Sequence, residues 1–321
     1  MKITIIGAGA MGCLFGGFLS EQGMDVQLLD VREEHVATLN DRGLTILHQG
    51  VERVVKVRAV TEPAAIPRTD LAVIFVKHTQ TEAAARTAAR LLGHNGYNGY
   101  NGYNGYNGYA LTLQNGMGNA EIIADVLGED RVLCGTTAQG AMVLGSGKIQ
   151  HSGVGETVIG MWRQGGGAIV EQLAEVFTAA SLSCRAVDDI EPVLWKKLFV
   201  NVGINAITAL TGLRNGQLLD LESTRRLMQD VVSEAKAVAE AHSIEAPADI
   251  LEHVEQVAKA TASNRSSMGQ DIDGQRPTEI DAINGYIVRK AQEVGLAVPV
   301  NQTLVRLVQT VQDNYTTTAR C

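Results

Sequence analysis

Three polar side chains suited to catalysis lie within one long apolar segment. The segment VLWKKLFVNVGINAIT spans residues 193–208 and carries Lys197, Asn201 and Asn205 at intervals of four residues. Four residues advance a helix by slightly more than one turn, so these side chains form one stripe, which Thr208 continues. A lysine beside a ketone stabilises the negative charge that develops on oxygen during hydride transfer and supplies a proton. The stripe therefore predicts carbonyl reduction, with asparagines that donate to and accept from a polar substrate.

The same stripe also fits an interpretation without a ligand. Burial of unpaired polar groups is costly, so the stripe must face either water or a molecule that satisfies it. If it faces water, Lys196 and Lys197 are solvated and the asparagines cap or pair locally. The spacing alone leaves both interpretations open.

A second segment, KITIIGAGAMG, predicts a dinucleotide site. Its glycines follow a β-rich run with the spacing G-x-G-x-x-G, and a helix is predicted after them. Such glycines allow a tight turn, close approach of a pyrophosphate to the backbone, and close packing of helix on strand. The amino terminus of the helix then faces the phosphates. We expect the following loop residues to contact the cofactor: Gly7, Ala8, Gly9, Ala10, Met11 and Gly12.

The type of dinucleotide is predicted from Asp30, which ends the next strand, DVQLLD. A carboxylate there accepts hydrogen bonds from the hydroxyls of the adenine ribose and repels a 2′-phosphate, which favours NADH over NADPH. The same residue could cap the helix predicted in VREEHVATLN. Arg32 lies two residues further on and would instead attract a phosphate.

The first half of the chain alternates between strands and helices. Such alternation predicts a Rossmann-type, doubly wound parallel sheet, which binds ligands at the carboxyl ends of its strands. Gly7, Asp30, Lys77 and Asn115 all follow or end predicted strands, which supports a shared site. Further strands are predicted at 44–48, 54–60, 71–77 and 110–115, and helices at 81–92 and 118–128.

Strand signals end near residue 189, and helical patterns follow to the end. We therefore predict two domains, a dinucleotide-binding Rossmann domain at 1–188 and an all-α substrate-binding and catalytic domain at 189–321. A polar cluster near the predicted start of the fourth helix includes Ser267 and Glu279. Glu279 either suits the helix dipole or binds the ribose or carboxamide of the cofactor. The helices are predicted near 190–212, 216–242, 247–262, 277–295 and 299–315.

The composition excludes several kinds of partner. The net charge is −8 without a basic run, so we expect neither nucleic acid nor an anionic membrane as a partner. Apart from the glycine-rich segment, no stretch is long and apolar enough to span a bilayer. The cysteines lack metal-site spacing, so we expect no metal, and free thiols in a reducing cytoplasm.

The run NGYNGYNGYNGYNGY at 95–109 fits neither a helix nor a strand period. It contains no Lys or Arg that would hold a nucleic acid phosphate. We interpret it as a low-complexity surface loop without a function, which enters the following strand at the amino end of the sheet.

The motifs GAGAMG, LQNGMGN, LWKKLFVNVGINAIT, RNGQL and SSMGQDI…RPTEIDAINGY resemble those of ketopantoate reductases, over nearly the whole chain and in order. The resemblance implies a Rossmann domain followed by an all-α domain like that of 6-phosphogluconate dehydrogenase. It also implies reduction of 2-dehydropantoate to (R)-pantoate for pantothenate and coenzyme A synthesis, usually with NADPH.

The resemblance implies a role for each matching residue. Lys197 would be the proton donor, and Asn115 would lie between substrate and cofactor. The other implied substrate contacts are Asn201, Asn205, Asn215 and Ser267. The implied cofactor contacts beyond the glycine loop are Lys77, Ala141 and Glu279.

Some residues depart from the family pattern and keep alternatives open. Asp30 and Val31 stand where NADPH-dependent members commonly carry a basic residue. Relatives with an acidic residue there include NAD-dependent D-2-hydroxyacid dehydrogenases of the D-mandelate type, which accept other branched or aromatic 2-keto acids. A non-catalytic nucleotide sensor is a third alternative, disfavoured because it would need only the glycine loop. Among the keto acids, Asn215 favours ketopantoate over the other substrates. The sequence leaves open whether the chain forms a homodimer.

Overall fold

The computed structural model describes residues 1–66, 68–93, 108–163 and 167–315. The chain divides into two compact units, and the described residues of Met1–Gln114 and Asn119–Ile190 form the first. The second unit contains Asn115–Gly118 and the chain from Glu191 onward. The predicted division at residue 188 placed Asn115–Gly118 in the first domain. In the structure this short segment belongs to the second unit, because it packs with the later half of the chain.

The first unit contains two sheets in the described part of the chain. The larger has eight strands in the order β12-β11-β8-β7-β6-β1-β2-β5, and the smaller has four in the order β4-β3-β10-β9. All neighbours in the larger sheet are parallel except β8 and β11. The strands are β1 Lys2–Ile6, β2 Asp25–Leu29, β3 Leu44–His48, β4 Val51–Val55, β5 Ala59–Val60, β6 Leu71–Ile74, β7 Tyr109–Thr112, β8 Val132–Thr137, β9 Gly140–Gly145, β10 Lys148–Gly153, β11 Thr157–Met161 and β12 Cys184–Ala186.

Helices accompany the larger sheet and bury their apolar faces in its core. The Phe15 ring lies 5.0 Å from the Phe75 ring and 5.7 Å from the Phe177 ring, between centroids, which joins α1 to the segment after β6 and to α5. The predicted α/β class, with a mostly parallel sheet, is confirmed. The helices are α1 Ala10–Glu21, α2 Glu33–Arg42, α3 Thr81–Leu91, α4 Asn119–Leu127 and α5 Gly167–Ala179.

The four-stranded sheet corrects part of the sequence prediction, which placed residues 44–48 and 54–60 in the parallel sheet. Ala59 and Val60 do lie in the parallel sheet as β5, whereas residues 44–48 and 54–55 do not. β3 and β4 instead form an antiparallel hairpin. Gln49 and Gly50 connect them with φ values of 48° and 82°, as in a tight two-residue hairpin turn. A connection of two residues cannot make the crossover that parallel pairing requires. The hairpin therefore joins β10 and β9 in a separate layer.

The second unit is helical in its described residues, as predicted. The predicted helix 277–295 begins later, at Asn284, after a 3₁₀ turn at Ile280–Ala282. A short helix at Ser267–Asp273 was not predicted as a separate element. The helices are α6 Glu191–Thr211, α7 Glu222–Ala241, α8 Ile250–Ala260, α9 Ser267–Asp273, α10 Asn284–Glu293 and α11 Pro299–Asp313.

Helix α6 has the length and mean hydropathy, 1.3, of a membrane-crossing helix, which the sequence analysis overlooked. Within the structure, 67% of that apolar window is buried by the protein itself. Among its fully buried residues are Phe199 and Val202. Helix α6 therefore forms the core of the second unit.

Candidate active site

At each of the three positions in the loop after β1, a different structural feature explains why the residue is glycine. Gly7 follows β1 with φ of +99°, a conformation that favours glycine. A Cβ at Gly12 would lie 1.9 Å from the Gly7 oxygen, so only glycine lets α1 pack this closely. A Cβ at Gly9, the residue before α1, would have no atom within 4 Å, which leaves open space beside the backbone. A loop that opens beside a helix amino terminus fits a pyrophosphate.

The Asp30 carboxylate lies against this loop and is already saturated with hydrogen bonds. Its Oδ2 accepts from the Ala8 N–H at 2.9 Å and from Arg32 Nη2 at 2.8 Å. Its Oδ1 accepts from the Arg32 N–H at 3.0 Å and from Arg32 Nε at 2.7 Å. A carboxylate offers about four acceptor positions. A ribose hydroxyl would therefore have to displace Arg32, whose side chain is 49% exposed.

The alternative role of Asp30 as a helix cap is wrong. Helix α2 begins at Glu33, its N-cap residue is Arg32, and no side chain caps it. Burial alone would raise the pKa of Asp30. The hydrogen bonds and charge of Arg32, together with the Ala8 N–H, outweigh burial and hold that pKa below its ordinary value. Asp30 therefore stays ionised beside the glycine loop.

The Ala8 carbonyl is a second centre of hydrogen bonds, formed by Arg32 together with His35 and Cys13, for which the sequence analysis predicted no role at this site. It accepts from Arg32 Nη2 at 3.0 Å, and His35 Nε2 lies 2.9 Å away. The Cys13 thiol donates to it at 3.3 Å. Burial raises the pKa of Cys13 to about 12, so the thiol keeps its proton. A sequence signal for His35 existed, because it shares the buried face of α2 with Leu39.

Two further predicted cofactor residues lie in different parts of the first unit, one in a loop after the larger sheet and one in the smaller sheet. Lys77 is partly buried and precedes the 3₁₀ turn His78–Gln80 that follows β6. A Cβ at Gly7 would lie 3.0 Å from Val76 Cγ1, which places the glycine loop near the chain leading to Lys77. Ala141 instead lies in β9 of the four-stranded sheet, opposite His151.

In the second unit, Lys197 differs from its neighbour in environment. Lys196 is exposed, whereas Lys197 is partly buried. Burial lowers the pKa of Lys197 to about 8, and the opposite charge of Glu279 limits this fall. An ammonium with a pKa near neutrality is a suitable proton donor. This asymmetry between adjacent lysines argues against the purely solvated interpretation of the stripe.

The rest of the stripe divides into two parts. The amide Nδ2 of Asn201 is buried and has no hydrogen-bond partner among the described residues. Asn205 is buried on the same helix. Thr208 instead donates to Ser266 Oγ at 2.7 Å, which ties α6 to the start of α9. Thr208 therefore has a structural role, whereas Asn201 keeps a buried donor that no described residue satisfies.

The predicted substrate residues beyond α6 also have distinct environments. Asn215 donates its Nδ2 to Thr261 Oγ1 at 2.9 Å. Its Oδ1 is buried, and no partner for it exists in the part of the chain that the structure describes. Ser266 caps α9 by accepting from the Gly269 N–H at 3.0 Å, whereas Ser267 is exposed at the first helical position.

Asn115 belongs to a loop that packs on the turn beginning at Glu279. The Met117 N–H donates to the Ala282 carbonyl at 2.8 Å. Gly116 has φ of +79°, and a Cβ there would lie 2.3 Å from that carbonyl oxygen. Glu279 is 9% exposed and precedes a 3₁₀ turn, so it is not in the first turn of α10 as predicted. The structure thus joins the Asn115 loop to the turn whose carboxylate acts on Lys197.

Comparison with known proteins covers both units. The sequence pattern of ketopantoate reductase PanE/ApbA matches residues 3–164, and the pattern of its carboxy-terminal domain matches residues 189–312. The chain belongs to the ketopantoate reductase family. This family is NAD(P)-dependent, so the chain is an oxidoreductase with a nicotinamide cofactor.

Individual relatives match the chain over nearly its whole length. A Halobacterium salinarum protein named 2-dehydropantoate 2-reductase is 36% identical over 97% of this chain and 99% of its own. A solved ketopantoate reductase from Ralstonia eutropha is 32% identical, with a TM-score of 0.86 over 98% of this chain and 99% of its own. D-mandelate dehydrogenase, solved with NADH and anilino(oxo)acetate, is 28% identical, with a TM-score of 0.89 over the same shares. These structures share the fold while their names differ in substrate.

Proposed function

We propose that this ketopantoate reductase relative reduces 2-dehydropantoate to (R)-pantoate with NAD(P)H, in pantothenate and coenzyme A synthesis. The observation that carries the proposal is Lys197, with a pKa of about 8, on the same helix as the unsatisfied amide of Asn201. The match to a protein named 2-dehydropantoate 2-reductase, at 36% identity, supports this substrate over other keto acids.

In the proposed reaction, Lys197 acts on the keto oxygen of the substrate. A bound nicotinamide cofactor would supply the hydride to the keto carbon. As negative charge develops on the oxygen, the Lys197 ammonium stabilises it and then transfers a proton from Nζ to it. A pKa of about 8 leaves Lys197 mostly protonated at neutral pH and makes it a stronger acid than an ordinary lysine. Glu279 favours the protonated form.

The buried asparagine atoms suggest how the substrate is recognised. The substrate has a carboxylate and a keto oxygen, which accept, and a terminal hydroxyl, which donates. We assign Asn201 Nδ2 to one of the accepting oxygens, because it is a buried donor without a partner in the described residues. We assign Asn215 Oδ1 to the hydroxyl, because it is a buried acceptor that likewise has no partner in the described residues. Keto acids without a hydroxyl would leave Asn215 Oδ1 unsatisfied, at a cost in affinity.

The second candidate is a D-mandelate-type reaction on another 2-keto acid. The fold similarity to D-mandelate dehydrogenase and the acidic residue Asp30 favour it. Turnover with NADH and NADPH should be measured on 2-dehydropantoate, phenylglyoxylate and 2-oxo-3-methylbutanoate, which lacks the hydroxyl. The Asn215→Ala variant should lose more efficiency with 2-dehydropantoate than with 2-oxo-3-methylbutanoate. Preferred turnover of phenylglyoxylate would support the second candidate instead.

For the cofactor, we propose a preference for NADH set by Asp30, although NADPH is the family norm. The Asp30 carboxylate repels a 2′-phosphate, and ribose hydroxyls could take the acceptor positions that Arg32 now occupies. The Asp30→Asn variant keeps an acceptor for the Ala8 N–H but frees the Arg32 guanidinium, so NADPH efficiency should rise relative to NADH. The Arg32→Gln variant should shift the ratio the other way. An unaltered protein that favours NADPH would contradict this preference.

A further inference from the structure

We infer that His35 is a positioning residue for the dinucleotide, which acts by fixing the peptide between Ala8 and Gly9. The inference rests on the proposed binding of a dinucleotide at the glycine loop. It adds a residue on α2 that would not touch the ligand.

The peptide group between Ala8 and Gly9 is held by its carbonyl end. A trans peptide is planar, and its C=O and N–H point in opposite directions. The Ala8 oxygen accepts from Arg32 Nη2 at 3.0 Å and from the Cys13 thiol at 3.3 Å, and lies 2.9 Å from His35 Nε2. The Gly9 N–H therefore points away from these three donors. A Cβ at Gly9 would meet no atom within 4 Å, so the backbone is open on that side, and we place a phosphate of the dinucleotide against this N–H.

The tautomer of His35 is fixed by a backbone donor on its other side. The Gly147 N–H lies 3.2 Å from His35 Nδ1, and a backbone N–H can only donate. Nδ1 must therefore accept, so the proton of the neutral ring is on Nε2 and is donated to Ala8. Gly147 is itself held in the β9–β10 turn, where its carbonyl accepts from the Thr45 N–H at 2.8 Å. His35 thus connects the β9–β10 turn of the four-stranded sheet to the glycine loop.

Only the neutral form of His35 can make both contacts. A second proton on Nδ1 would face the Gly147 N–H and break that hydrogen bond. The charged groups that face His35 are Arg32 and Asp30, while α1 contributes the neutral thiol of Cys13. Burial and the charge of Arg32 lower the pKa of His35, outweighing the opposite effects of Asp30 and the Ala8 carbonyl. His35 is therefore neutral at physiological pH, and acidification weakens the arrangement.

The test compares variants of two residues on α2. His35→Leu removes both contacts, whereas His35→Gln keeps an amide donor for the Ala8 carbonyl. Asn40→Ala is the matched control, because Asn40 forms hydrogen bonds with the Ala59 backbone at 2.8 and 3.0 Å, and no hydrogen bond among the described residues joins it to the glycine loop. NADH and NADPH dissociation constants would be measured by fluorescence titration, together with melting temperatures and kcat at saturating cofactor.

We expect His35→Leu to weaken dinucleotide binding by about five- to tenfold, the effect of one net hydrogen bond. His35→Gln should bind within about twofold of the unaltered protein, and kcat at saturation should change little, because His35 touches no reacting atom. Asn40→Ala should lower the melting temperature without weakening binding. Because the pKa of His35 is lowered, binding by the unaltered protein should stay level near neutral pH and weaken only as the pH falls below the ordinary histidine range, and His35→Gln should remove this dependence.

The outcomes separate the inference from the function on which it rests. Equal binding by His35→Leu and the unaltered protein would overturn the inference, as would equal weakening in Asn40→Ala. If His35→Leu does not fold, the pH dependence of His35→Gln decides, and a profile like that of the unaltered protein overturns the inference. Absence of dinucleotide binding by the unaltered protein would overturn the proposed function itself.

Discussion

Raising the pH through 8 should slow the reduction catalysed by this protein, because burial lowers the pKa of Lys197 to about 8. The protonated lysine is the form that stabilises the developing oxyanion and supplies the proton. The rate at saturating substrates should therefore be level below this pH. Above it, the rate should fall by about tenfold for each pH unit, as expected for loss of one proton. A lysine at its ordinary value of 10.5 would keep the rate level far beyond this range.

The size of the lysine contribution can be measured with a pair of adjacent residues. Removal of one preorganised electrostatic donor typically lowers turnover by roughly 10²–10³. We expect this loss for Lys197→Ala, with cofactor binding nearly unchanged. Lys196→Ala is the control, because Lys196 is exposed and lies about 100° round the helix. Its turnover should stay close to that of the unaltered protein.

Glu279→Gln gives an independent test of the same pKa. The Glu279 carboxylate raises the pKa of Lys197, so its neutral replacement should move the high-pH fall of kcat to lower pH. The assay is the pH dependence of kcat at saturating keto acid and cofactor, with deuterated cofactor to show that hydride transfer limits the rate. A level profile through pH 9 or near-normal turnover by Lys197→Ala would refute the reasoning. So would a shift to higher pH in Glu279→Gln.

Three further predictions concern structure around the site. Ser266→Ala removes the cap of α9 and the acceptor of Thr208, so it should cost about 1 kcal/mol and lower the melting temperature by roughly 2–4 °C in a thermal scan, without changing cofactor binding. Gly116→Ala forces a side chain onto positive φ and against the Ala282 carbonyl, so the KM for keto acid should rise, whereas Gly167→Ala meets open space and should not change it. Replacement of residues 95–107 by a short polar turn should leave turnover near normal, because the repeat enters β7 at its amino end. A large loss of activity, or a changed solution mass, would give the repeat a role.

This repeat illustrates a limit of the sequence analysis. Its period fits no regular element, and residues 95–107 of it lie outside the described residues. Its last residue, Tyr109, belongs to β7 and donates its N–H to the Asp70 carbonyl at 3.0 Å. A variant should therefore keep Gly108 and Tyr109. Composition identified the segment as unusual but could not place the point where strand pairing begins.

Local signals predicted the elements that have strong periodicity or strict turn chemistry. The helix carrying Lys197 and the glycine turn after β1 were predictable because spacing and residue type determine them directly. The four-stranded sheet was not predictable, because the residue pattern of a strand does not specify which other strand pairs with it. His35 was missed for a related reason, since a histidine on an apolar helix face does not reveal its partners in the sequence. The saturation of Asp30 by Arg32 likewise depends on side-chain geometry.

The loop Asn115–Gly118 makes the second unit discontinuous along the chain, which bears on how the gene can be recombined. A fragment beginning at Glu191 would contain the helices but would lack the Met117 N–H that donates to the Ala282 carbonyl. A chimaera of two relatives joined after residue 190 would combine the loop of one parent with the turn of the other. In such a chimaera residue 116 must stay glycine, because a Cβ there would lie 2.3 Å from the Ala282 oxygen. The exchangeable module therefore comprises four residues from the first half together with the helical half.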